Sequence, residues 1–168
     1  VHVHADLAAL APAPCNDMLV DPAGRAWVGN FGFDLPGRAP FAPTGLIRVD
    51  PDGRAEVAAQ DLHFPNGTVL TPDGRTLIVA ESYGQRLSAF EVRADGELGA
   101  RRTWATFDGR NGPDGICLDA EGAVWIASPV SREVLRVREG GEITHRIATT
   151  EQAVACMLGG ADRRTLYV

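Results

Sequence analysis

The stretch "NGTVLTPDGRTLIVAES" (66–82) has two counterparts in the same chain, "NDMLVDPAGRAWVGN" (16–30) and "DGICLDAEGAVWIAS" (114–128). The three align without a gap. Each opens with Asn or Asp and carries a Gly eight positions later, with apolar residues and a turn between. Asn16 to Asn66 is 50 residues, and Asn66 to Asp114 is 48. A weaker fourth copy, "ACMLGGADRRTLYV" (155–168), keeps the apolar run and the last strand but has Arg163 in place of the Gly.

Self-similarity at this period, with several short strands per unit, is the signature of β-propeller blades. A β-sandwich spaces its strands similarly but gives no reason for the echo. No long helical i, i+3, i+4, i+7 pattern occurs, and 19 Gly and 11 Pro punctuate the chain. "DPAG" (21–24), "DPDG" (50–53), "TPDG" (71–74), "RADG" (93–96), "DAEG" (119–122) and "REGG" (138–141) are turn sequences. Asp or Thr, where it comes first, caps the turn, Pro at the second position presets φ, and Gly at the fourth accepts positive φ. The β-prone runs "AWVGN", "GLIRVD", "TLIVAES", "RLSAFEV", "VWIAS", "EVLRV" and "EITHRIAT" lie between and are expected to pair antiparallel. The expectation is an all-β chain. It is a partial propeller domain over 1–168, with repeats starting near 16, 66, 114 and 155 and no second domain. That is about three and a half blades, fewer than a closed ring needs. "VHVHADL" (1–7) and "TLYV" (165–168) read as strands at either end. The sequence therefore reads as the middle of a longer chain, or as one that a partner closes.

Composition narrows the functional classes. A hydrophobic share of 45% and a charged share of 23% are ordinary for a soluble globular domain. The net charge is -6 and Arg is scattered, which argues against nucleic acid as a partner. No apolar run approaches the ~20 residues of a membrane span. Cys15, Cys117 and Cys156 are odd in number and widely spaced, which disfavours a disulfide framework or a zinc knuckle. They are expected to be small buried thiols in a reducing, cytoplasmic setting. The sequence leaves the oligomeric state open.

In a propeller the innermost strand of each blade lines the central channel. Asn16, Asn66 and Asp114 each precede the apolar strand of their repeat, so rotational repetition would direct them to one axis. Converging amide and carboxylate oxygens suit a hard cation such as Ca²⁺, Mg²⁺ or Mn²⁺. A plainer alternative stands beside this one. Asn66-Gly67 and Asp114-Gly115 are strong turn dipeptides, each with Pro just before.

Other polar residues carry less. His2 and His4 alternate as on a solvated strand face, and His63 is either structural or at the channel mouth. Glu81 and Ser82 read as the start of a loop. Ser128 lacks a G-x-S-x-G setting. Trp27, Ile78 and Trp125 sit at one end of their repeats and are assigned to packing between blades. Phe31 and Phe33 lead into a Pro-rich excursion, 34–45, which either shapes access to the channel or packs loosely.

The stretches "NDMLVDPAGRAWVGNFGFDL" (16–35), "FPNGTVLTPDGRTLIVAES" (64–82), "GPDGICLDAEGAVWIAS" (112–128) and "VACMLGGADRRTLYV" (154–168) resemble the regucalcin (senescence marker protein) and gluconolactonase family, in order and over essentially the whole chain. The resemblance implies a six-bladed β-propeller with one divalent cation, Ca²⁺ or else Mg²⁺, Mn²⁺ or Zn²⁺, at the channel. It also implies hydrolysis of sugar lactones and related esters, a small-molecule lactone being the partner. By the same resemblance Asn66 and Asp114 are metal ligands, and Asp114 is also the general base. Asn16 matches a substrate-contacting residue near the metal. Asp34, in "GFDL", falls where some relatives place an acidic substrate-binding residue. The family's remaining ligand, a first-blade Glu, would precede Val1, and the position of a substrate-binding Arg is Pro14 here. The alternatives are a non-catalytic binding propeller or an inactive fragment.

Overall fold

Each repeat folds into the same unit, a four-stranded antiparallel meander. The computed structural model describes residues 2–109 and 111–168, and among them no α-helix forms. The first blade comprises β1 (Cys15–Val20), β2 (Ala26–Asn30), β3 (Thr44–Val49) and β4 (Ala55–Leu62). The second comprises β5 (Pro65–Leu70), β6 (Thr76–Glu81), β7 (Arg86–Glu91) and β8 (Arg102–Thr106). The third comprises β9 (Ile116–Leu118), β10 (Val124–Ser128), β11 (Glu133–Val137) and β12 (Ile143–Ala148). A two-stranded half blade follows, β13 (Met157–Gly159) and β14 (Thr165–Tyr167). Within every blade the strands pair in chain order. The innermost strands β1, β5, β9 and β13 lie side by side. The all-β propeller expected from the repeats is the fold observed.

Strand β6 shows why the sequence stacks blades. Its residues alternate between two buried faces, as period-2 geometry requires. Leu77 and Val79 pack with Trp27, Leu46 and Leu62 of the first blade. Ile78 and Ala80 face the other way, into a cluster with Ile116, Ile126 and Leu135 of the third. Trp125 packs against a further cluster that joins the third blade to Ala153, Cys156 and Leu158 beyond it. Trp27, Ile78 and Trp125 therefore do pack between blades.

The turns behave as their residues dictate. In the first, Asp21 N donates to Arg25 O and Gly24 N to Asp21 O, both at 2.9 Å. The Asp21 carboxylate accepts from Ala23 N, Arg25 N and Arg25 Nε. The second blade differs by one residue. There Thr71 N donates to Thr76 O, so the turn is longer than its counterparts, closed by Arg25 and by Ala123. The gapless alignment therefore slips by one after Gly74: Glu81, not Ala80, occupies the position of Asn30 and Ser128.

Two further expectations are corrected. Residues 2–7 of "VHVHADL" form no strand, and Val1 lies outside the described residues. The Leu7 carbonyl instead accepts from Leu10 N and Ala11 N, and this segment lays Ala5, Leu7, Leu10 and Ala11 on Val28, Ile47 and Val49. Its apolar residues find a sheet face to cover before they find a strand to pair with. Cys15 is exposed, whereas Cys117 and Cys156 are buried. It opens β1, whose residues are mostly exposed. Strands β4 and β8 had no sequence signal of their own. Each is the outer strand of a blade, so neither needs the apolar run of a strand buried on both faces.

Candidate functional site

The three residues that open the repeats lie in matching irregularities of the inner strands. In β1, Cys15 pairs with Asn30 and Met18 with Val28, which leaves Asn16 and Asp17 opposite Gly29 alone. In β5, Pro65 pairs with Glu81 and Thr68 with Val79, leaving Asn66 and Gly67 opposite Ala80. In the third blade Asp114 N donates to Ala127 O while Ala127 N donates to Gly115 O, both at 2.9 Å. Two residues thus face one in each blade. This is a β-bulge, which kinks a strand and re-aims its side chains.

The bulges bring neighbouring inner strands into direct contact. Gly67 N donates to Asp114 O at 3.2 Å, and Gly115 N to Val154 O at 3.0 Å. A Cβ on Gly67 would stand 2.5 Å from Asp114 O and 2.6 Å from Ile116 N. Neither Gly67 nor Gly115 has positive φ. These glycines provide clearance between strands, and Asn66-Gly67 is strand rather than turn. The turn reading therefore falls for Asn66-Gly67, whereas Gly115 sits in a bend just before β9, and Asn16 and Asn66 lie within their strands rather than before them.

Asn66 is buried, and its Nδ2 donates to Ser82 Oγ at 3.1 Å. Its amide also lies beside the half-buried Asp114 carboxyl, whose pKa is pushed up to about 6. Burial is the main cause and the Asp17 charge adds to it, while hydrogen bonds from the Asn66 amide and Gly115 N pull the other way. Among the described residues no ion pair includes Asp114 or Asp17. Two acids and an amide thus gather without a positive partner. Oxygen donors of this kind suit a hard divalent cation, and Asn66 and Asp114 would hold it. Among the described residues no group of three or more His, Cys, Asp or Glu is placed to hold a metal.

The other expected residues are placed differently. Asn16 is exposed in the β1 bulge and makes no side-chain hydrogen bond among the described residues. Asp34 is exposed between β2 and β3, where its Oδ1 accepts from Gly37 N at 2.9 Å. It caps its own turn, and no hydrogen bond joins it to Asn66 or Asp114.

Three residues escaped the sequence. Asp17 follows Asn16 where the other bulges have Gly, and only the fold sets it near Asp114. Ser82 does start the loop after β6, but its hydroxyl bonds Asn66 and Pro113 O. Glu81 in fact ends β6, fully buried, and accepts from Arg86 Nε and Nη2, Ser88 Oγ and His63 N. Asn30 and Ser128, its register equivalents, are equally buried, so a polar residue closing the second strand is a repeated feature. A one-residue gap in the repeat alignment would have exposed it.

An aromatic group borders the same end of the second blade. Phe31 stacks on Phe64 at 4.8 Å, and Phe41 stacks on Tyr83 at 5.6 Å. Phe33 contacts Phe41, Phe64 and Tyr83 edge-on. The excursion after β2 is therefore a packed aromatic layer, not loose. Phe64 and Tyr83 immediately precede Pro65-Asn66 and follow Ser82.

Three four-stranded blades and a half blade, with their inner strands side by side, define the molecule as a β-propeller. The chain belongs to the SMP-30/Gluconolactonase/LRE-like region family, whose model matches residues 2–168. It is 32% identical over 158 residues to a 6-deoxy-6-sulfogluconolactonase of Pseudomonas putida, covering 91% of this chain and 52% of that protein. It is 30% identical over 157 residues to regucalcin of Danio rerio, with the same coverage. Among solved structures, a calcium-binding regucalcin from Agrobacterium tumefaciens superposes with a TM-score of 0.81 at 26% identity, over 96% of this chain and 55% of that one. A gluconolactonase from Xanthomonas campestris gives 0.74 at 29% identity, over 90% and 52%. The chain spans about half the length of the curated relatives it matches. Among the described residues no helix is long and apolar enough to cross a membrane.

Proposed function

We propose that residues 1–168 form part of a single propeller domain that hydrolyses lactones with a divalent cation, Ca²⁺ or else Mg²⁺, Mn²⁺ or Zn²⁺. The observation that carries this reading is the meeting of Asn66 and Asp114 on adjoining inner strands without a basic partner. Relatives named 6-deoxy-6-sulfogluconolactonase and pentonolactonase support the substrate class. The neighbouring free thiols Cys117 and Cys156 fit a reducing, cytoplasmic setting.

A bound cation would polarise the lactone carbonyl and stabilise the negative charge that builds on its oxygen. Asp114 takes a proton from the attacking water as the water oxygen bonds to the carbonyl carbon. The ring C–O bond then breaks, and Asp114 returns the proton to the departing alkoxide, releasing a hydroxy acid. Asn66 sets its amide beside the Asp114 carboxyl. Asn16, in the bulge of the neighbouring inner strand, and Asp34, on the exposed excursion, are assigned to the substrate.

The test is hydrolysis of a lactone panel by the full chain, with and without chelator. The proposal expects turnover that chelator abolishes and added cation restores. Absence of turnover with intact partner binding would identify a binding propeller instead.

A further inference from the structure

We infer that Ser82 is a positioning residue that sets cation affinity by fixing the orientation of the Asn66 amide. The inference rests on the cation site proposed above.

A serine hydroxyl has one proton. In Ser82 it is committed to Pro113 O at 2.6 Å, the carbonyl just before Asp114. Ser82 Oγ can therefore only accept from Asn66, and Nδ2 meets it at 3.1 Å. Rotating the amide by half a turn would place two acceptor oxygens against each other with no proton between them. The hydroxyl thus selects one amide orientation. Nδ2 is held on the serine, its other hydrogen facing the Asp114 carboxyl, and Oδ1, which takes no hydrogen bond among the described residues, remains as the ligand end. The same hydroxyl braces the chain entering Asp114, so one side chain registers both candidate ligands. Groups that orient metal ligands in this way typically matter 10- to 100-fold in affinity.

The fold does not demand this serine. In the first and third blades the register position after the second strand holds Phe31 and Pro129. The hydroxyl occurs in the blade that carries the buried Asn66, whereas Asn16 in the first blade is exposed and has no such brace.

The experiment is calorimetric titration of Mn²⁺ into the parental chain, Ser82→Ala and Ser82→Thr, with Tm measured in chelator for each. Ser82→Ala is expected to raise the Kd by roughly 10- to 100-fold. Ser82→Thr, which keeps the hydroxyl, is expected to bind as the parent does, whatever its Tm. A Ser82→Ala chain that melts lower but binds with parental Kd would reduce the residue to a structural role and overturn the inference alone. So would a threonine variant as weak as alanine. No Mn²⁺ binding by the parent would instead overturn the cation site itself, and this inference with it.

Discussion

Asp114 is an acid whose surroundings oppose its charge. Burial and the nearby Asp17 raise its pKa to about 6, so without cation the fold favours the protonated form. An acid with a raised folded-state pKa contributes stability below its unfolded value, near 3.8, and loses it as pH rises through about 6. Asp114→Asn should therefore stabilise the cation-free protein at pH 8 by roughly 1–2 kcal/mol, a figure discounted because the group is partly solvated. The same variant should lose nearly all lactone turnover. A lower Tm in chelator, or parental turnover, would contradict the assignment. At the proposed cation site, proton and cation would compete for this carboxylate, so affinity should fall about tenfold per pH unit below 6 and level off above it. Titrations near pH 5 and pH 7.5 measure this. The candidate ligands were legible because Asn66 and Asp114 recur in register with Asn16. Asp17 and Ser82 were not, since each acts on a ligand only through contacts between strands far apart in sequence.

At the level of elements, the second strand of each blade ends in a buried polar residue, and Glu81 in β6 is the charged one. Burial raises its pKa, but bonds from Arg86, Ser88 and His63 N outweigh that and leave it below the ordinary value. A depressed acid contributes stability above its unfolded pKa, near 4.5, and loses it as pH falls. Glu81→Gln leaves Arg86 without its carboxylate and should cost about 3 kcal/mol by chemical denaturation. A loss under about 0.5 kcal/mol would mean that the pair is dispensable. Strands β2, β3, β6, β7, β10, β11 and β12 were legible as β-prone runs between turns. Strands β4 and β8, outer strands like the legible β12, were not. The longer turn of the second blade hid the equivalence of Glu81 with Asn30 and Ser128, because a single inserted residue reverses every face of the strand after it.

Across the whole molecule, stability is divided among interfaces between neighbouring blades, each carrying one tryptophan. Trp27 lies between the first and second blades, Trp104 between the second and third, and Trp125 between the third and the half blade. Because β6 is buried on both faces, adjoining interfaces share strands and should unfold together. Tryptophan fluorescence and far-ultraviolet circular dichroism should give coincident transitions, whereas separated midpoints would show that the blades melt independently. Trp27→Ala should lower stability by about 3–5 kcal/mol and shift both probes equally. The radial fold was legible from its period. The contact between the bulged strands was not, because Gly67 and Gly115 resemble turn glycines until the neighbouring strand is in view.

The central claim is that Asn66 and Asp114 jointly hold a divalent cation. Anomalous diffraction from crystals soaked in Mn²⁺ tests it most directly. The account predicts a peak bonded to both Asn66 Oδ1 and the Asp114 carboxylate, at about 2.0–2.6 Å. Full occupancy elsewhere, or no peak between these two side chains at saturating Mn²⁺, would contradict it.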